Sequence, residues 1–135
     1  MRTFPDFTWE WIIESCRNLC NQIQSGVGGD SQELPERLKG YIENAQGLIA
    51  IVPKLREHPQ LEKLVPMKSL MSLVWFPSKD HEICLYCEES KVKYSITIVK
   101  GDLLRGHTEI HEKKIVAFDE VADQIYTYIM LLNDE

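Results

Sequence analysis

The 135-residue chain has no long basic run, and its 15 Lys and Arg against 21 Asp and Glu leave a formal charge of −6. Residues 1–66 hold seven basic against nine acidic residues, and residues 67–135 hold eight against twelve, so neither half is basic. Nucleic-acid binding draws on Lys and Arg to neutralise phosphates, so the composition argues against DNA or RNA as a partner. A basic protein surface fits the sign better. The start MRTFPDFTWEW lacks a basic stretch leading into an apolar run, and no apolar stretch reaches the eighteen or so residues of a membrane span. The expectation is a cytoplasmic protein without a membrane partner.

Catalytic signatures are absent too. Gly26, Gly28 and Gly29 suggest a phosphate cradle, but no strand precedes them and the Gly-Lys-Ser/Thr ending is missing. There is no G-x-S-x-G elbow, and His107-Thr108-Glu109-Ile110-His111 is not the H-E-x-x-H of zinc proteases. No catalytic residue, cofactor, metal or small-molecule ligand is predicted. Repeats and low-complexity segments are also missing. With 44% hydrophobic and 27% charged residues, the chain has the composition of an ordinary globular protein, and its length suits one domain over residues 1–135.

What is present begins with an amphipathic segment from Thr8 to Gln24. Trp9, Ile12, Ile13, Cys16, Cys20 and Ile23 recur at three- and four-residue steps and predict a helix with one apolar stripe. Cys16 and Cys20 lie inside that stripe and read as small core residues. Ser25–Ser31 reads as a linker. Leu34-Pro35 opens a second helix with Leu38, Tyr41, Ile42, Ala45, Leu48, Ile49 and Val52 as its stripe, and Pro53 is expected to end or kink it. Residues 54–66, with Pro59 and Pro66, read as a connection containing a short helical turn.

After Pro66 the period falls to two. Leu70–Phe76 is apolar on both parities and predicts a strand covered on both sides. His81–Cys87 and Lys91–Val99 form a hairpin through Glu88-Glu89-Ser90. In its second arm Val92, Tyr94, Ile96 and Ile98 take the buried face and Lys93, Ser95 and Thr97 the wet one. Gly106–Val116 predicts a fourth strand with His107, Glu109 and His111 on the wet face. Asp119 is placed to cap a last helix with Val121, Ile125, Tyr128 and Leu132 as its stripe. The predicted fold is α+β, in the order α-α-β-β-β-β-α: two N-terminal helices, a four-stranded antiparallel meander and a C-terminal helix packed on the sheet.

Two constellations remain. Cys84, Cys87, His107 and His111 read C-x2-C-x19-H-x3-H, a zinc spacing that would suit a zinc-stabilised nucleic-acid-binding protein. A cysteine pair three apart can reach one ion only if the chain turns between them, and Leu85-Tyr86 between the cysteines favours a strand. His107, Glu109 and His111 form the acid–base set of a second alternative, a small enzyme, against which stands the reading of a solvated strand face. The other constellation is aromatic. Trp11 falls on the opposite side of the first helix from Trp9, among Glu14, Asn18 and Gln22, and Phe4 and Phe7 extend that side backward. Aromatics that miss the core are covered by the chain itself or offered to a partner. The leading expectation is a small acidic, non-catalytic protein-binding module of adaptor, inhibitor, antitoxin-like or immunity-like kind. Phe4, Phe7 and Trp11 would contact a protein partner or a second copy.

Overall fold

A computed structural model describes residues 3–26, 35–102 and 107–133, with the side chains of Gly26, Asp102, His107 and Thr108 outside that description. The architecture is α+β. Helix α1 spans Trp9–Gly26 and α2 Glu36–Glu57; strands β1 Met67–Ser69, β2 Ser72–Trp75, β3 His81–Glu89, β4 Lys93–Asp102 and β5 His107–Ala117 follow. A 3-10 turn at Phe118–Glu120 then leads into α3, Val121–Leu132. The five strands lie in sequence order and every neighbouring pair is antiparallel. The expected meander is therefore present, with one strand more than expected.

The extra strand comes from the run read as one strand from Leu70. Leu70-Met71 is instead a tight turn that folds Met67–Ser69 back against Ser72–Val74. No glycine or proline marks that turn. A tertiary bond supports it, because the Asn44 side-chain amide of α2 donates to the Met71 carbonyl at 2.9 Å.

All three helices cover one face of the sheet. Trp75, Ile83 and Ile98 align across β2, β3 and β4, as do Leu73, Leu85 and Ile96, and these residues are buried in a core with Ile12, Cys16, Leu48, Ile51, Leu55, Ile125 and Ile129. On the reverse face three other rows cross the strands: Val74–Cys84–Thr97–Lys113, Glu82–Val99–Ile110 and Tyr86–Ser95–Ile115. Val74 is buried yet stands outside the core cluster, as its place on that reverse face requires.

Helix α2 carries the corrections that matter most for packing. Its buried stripe is Ile42, Asn44, Ala45, Gly47, Leu48, Ile51, Val52 and Leu55, while Tyr41 of the expected stripe is exposed. Asn44 and Gly47 are the side that meets the sheet. The Asn44 side-chain Oδ1 accepts the Cys87 amide at 2.9 Å, and the Tyr94 hydroxyl donates to the Gly47 backbone carbonyl at 2.6 Å. A Cβ on Gly47 would overlap the Cys87 Sγ and stand 2.6 Å from its Cβ, so the helix approaches β3 only because residue 47 has no side chain. Both polar contacts satisfy groups that burial would otherwise penalise.

Pro53 does not end α2, which runs on to Glu57. The missing amide removes one bond to the turn before it, and burial of Ile51, Val52 and Leu55 on either side outweighs that loss. Asp119 is not a helix cap. The 3-10 turn occupies that position, Glu120 precedes α3 without a side-chain cap, and Asp119 pairs instead with Lys54 at 3.3 Å. Val92 is exposed in the β3–β4 turn, next to Lys91 at φ 63°, and Ser95 of the supposed wet face is buried. Of the expected linker, Ser25 and Gly26 belong to α1, and residues 27–31 lie outside the described residues, as do Leu34 and Gly106.

Candidate partner-binding site

The chain enters α1 through a short turn in which the Phe7 amide donates to the Phe4 carbonyl at 3.1 Å. Thr8 then caps the helix. Its Oγ1 accepts the Trp11 amide at 3.0 Å and its carbonyl accepts the Ile12 amide at 3.0 Å, the pattern expected of a threonine just before the first helical residue. Thr8 thereby fixes where the helix begins, and so which tryptophan faces inward. Trp9 is buried and its Nε1 donates to the Glu62 carbonyl at 2.9 Å, while Trp11, two residues on, is 46% exposed.

Phe4, Phe7 and Trp11 do come together. Phe4 and Phe7 meet edge-to-face at 6.2 Å between ring centres, and Phe7 meets Trp11 at 4.9 Å with planes 86° apart. Perpendicular pairs at this spacing set the positive edge of one ring against the negative face of the next. Phe4 also touches Phe76 at 5.1 Å, which ties the N-terminal segment to the end of β2. Phe4, Phe7 and Phe76 are half-buried, so the segment covers part of its own apolar surface and leaves the Trp11 end most open. Phe76 was not anticipated as a member. The only signal for it was its place in the apolar run, on the parity opposite Trp75.

The rim of this corner is acidic. Asp6, Glu10 and Glu14 are all exposed. Glu10 holds Arg56 at 2.8 Å, and its carboxyl lies below the usual range, first through a bond from its own backbone amide at the helix start and then through Arg56. The guanidinium of Arg56 is thus already engaged. The far end of α1 carries a depression of about 410 Å³ lined by Asn18, Asn21, Gln22 and Ser25, whose hydroxyl donates to the Asn21 backbone carbonyl at 2.6 Å.

The sequence's metal-like letters are dispersed. Cys84 and Cys87 belong to one unbroken strand and point to opposite faces, Cys87 into the core against α2 and Cys84 into the reverse face. Two thiols placed so cannot share one ion. Burial pushes both up to about 11, with the Glu82 charge adding to the shift at Cys84, so both are neutral thiols at neutral pH. In β5 a bulge opposite Ile98/Val99 breaks the alternation expected there; Glu109 and His111 are exposed, and the side chain of His107 lies outside the described residues. The His111 ring stands 6.3 Å from that of His81, whose Nδ1 is 2.9 Å from the Ser78 Oγ. Among the described residues no three His, Cys, Asp or Glu side chains are grouped to hold a metal ion.

Among those residues no helix is long and apolar enough to cross a membrane. No protein-family model matches the chain, and no curated protein and no solved structure matches it.

Proposed function

We propose that this chain is a small non-catalytic protein-binding module of the cytoplasm, an adaptor, inhibitor, antitoxin-like or immunity-like component. Phe4, Phe7 and Trp11 form its contact surface, with Phe76 as their support. The observation that carries the reading is the run of ring contacts from Phe76 through Phe4 and Phe7 to Trp11, outside the core and ending on a half-exposed indole. Tryptophan and tyrosine anchors with arginine dominate the energetics of protein interfaces, and an indole already ordered by its neighbours loses little entropy on binding.

The rim favours a partner of the opposite sign. Asp6, Glu10 and Glu14 would repel a second copy of the same corner, and they would steer a surface bearing Arg or Lys onto the aromatic rings, where a cation can also stack. The test is co-purification from the native host with mass measurement, repeated with Trp11→Glu. The expected result is a bound protein with the parent and none with the variant, whose melting temperature stays within a few degrees of the parent's. An unchanged set of bound proteins would refute the reading.

A further inference from the structure

The pairing of β4 with β5 changes register once, and a histidine sits where it changes. Ile98 and Val99 of β4 pair with Glu112 and Ile110, so His111 is the extra residue of a β-bulge. A bulge bends its strand and re-aims the side chain it carries. Here the His111 ring stands 6.3 Å from the ring of His81, with the two planes 76° apart. His81 opens β3 and shares the parity of Ile83 and Leu85, which places it at the end of the helix-covered face. Strands lie about 4.8 Å apart, so β3 and β5, with β4 between them, are roughly 10 Å from each other. The two rings meet because both side chains lean over β4.

His81 is held by one of its nitrogens. Its Nδ1 is 2.9 Å from the Oγ of Ser78, in the bend that joins β2 to β3, and this contact leaves Nε2 to serve a further ligand. A hydrogen bond at one imidazole nitrogen, fixing the tautomer and aiming the other nitrogen, is the usual support of a metal-binding histidine. His81 is half-buried and His111 exposed, so one ring is anchored and the other is free to turn towards an ion. Two imidazoles on one tetrahedral ion, each nitrogen about 2.0–2.1 Å from it, have ring centres roughly 5 Å apart. Rotation of the exposed His111 side chain covers the remaining gap of about 1 Å.

We propose that His81 and His111 form a two-histidine site for a divalent late transition-metal ion of the zinc type, with water completing its shell. The donors decide the class of ion, because imidazole suits zinc, nickel and copper, whereas magnesium and calcium take oxygen ligands. Glu109 and Glu112 lie either side of the bulge and favour a cation there. Lys100, on β4 between His81 and Glu109, opposes it, but it is exposed and its long stem carries the ammonium into water. Ser78 acts as a positioning residue through His81. With two protein ligands the site is open, and the ion exchanges more readily than one held by four.

The test is calorimetric titration of the full chain with zinc chloride at neutral pH and excess magnesium chloride. One ion should bind per chain. His81→Ala and His111→Ala should each weaken binding by ~10-fold or more, and Ser78→Ala by about 10-fold. His58→Ala, His107→Ala and Cys84→Ser should leave it unchanged, and every zinc-free variant should keep the parent's circular dichroism spectrum. Nitrogen-15 spectra of the histidine rings should show His81 coordinating through Nε2. Absence of zinc binding, binding that survives His81→Ala or His111→Ala, an ion held through His107 or Cys84, or coordination through Nδ1 of His81 would each overturn the proposal. An unaltered affinity in Ser78→Ala would overturn the role given to Ser78.

Discussion

Trp9 and Trp11 are two residues apart on one helix and belong to different parts of the molecule. Around Trp9 the surroundings are closed: its ring is buried, its indole nitrogen is satisfied by Glu62, and the same helical side carries Ile12 and Cys16 into the core. Around Trp11 the ring contacts are local and the indole is half in water. The energetic meaning of an aromatic residue is thus set by the phase of its helix, and Thr8 sets that phase. One indole acts on stability, and the other stands half-exposed at the surface.

The largest effect should come from the closed side. Trp9→Ala removes a buried indole and strands the Glu62 carbonyl, and denaturant unfolding should show a loss of about 3–5 kcal/mol. Trp11→Ala should lose less than about 1 kcal/mol in the same measurement, since surface substitutions away from such features are usually small in effect. Equal losses at the two positions would remove the distinction between them.

Gly47→Ala comes next. It places a methyl group in the space of the Cys87 thiol, and overpacking of this kind should cost about 1–3 kcal/mol. Adding Cys87→Ala should recover part of that loss, because the two residues share one contact and their effects should not add. Additive losses in the double-mutant cycle would show that α2 and β3 do not meet as closely as Gly47 implies.

Smaller still is Thr8→Ala, which removes the cap of α1 and should cost about 1 kcal/mol by thermal unfolding. It should also weaken partner binding more than its stability cost implies, because Phe7 and Trp11 are held on either side of that cap.

Alkaline pH probes the buried thiols directly. Burial favours the neutral thiols of Cys84 and Cys87 in the folded chain, raising both from 9.0 to about 11, and Tyr94 is raised in the same way. Stability from the two thiols is present below pH 9 and declines as pH climbs towards 11, whereas that from Tyr94 is lost only above pH 10. The melting temperature should fall over that window in the parent and fall less in Cys87→Ala. A profile that stays flat from pH 9 to 11 would contradict the burial of these thiols.

Much of this was legible in the residues. The stripe of α1, the alternation of Tyr94, Ile96 and Ile98, and the stripe of α3 each repeat one period long enough to leave one face to bury. The extended form of His81–Cys87 followed from Leu85 and Tyr86, and it placed the two cysteines on opposite faces. What escaped was decided by contacts distant in sequence. Asn44 is a polar residue whose side-chain amide meets Met71 and Cys87, 27 and 43 residues away, and no local pattern marks it. The β1–β2 turn has no turn chemistry of its own, and Pro53 is carried through a helix by the packing around it. In the aromatic corner the phase of Trp11 was readable because it depends on α1 alone. Phe76 was not, because nothing local links the end of β2 to residue 4.

The central claim is that the aromatic corner is where a partner binds, and hydrogen–deuterium exchange of the co-purified complex tests it most directly. Added protection is expected across residues 3–14, with none gained over the β1–β2 turn or the β3–β4 turn. Protection gained at those turns or elsewhere, with residues 3–14 unchanged, would contradict it.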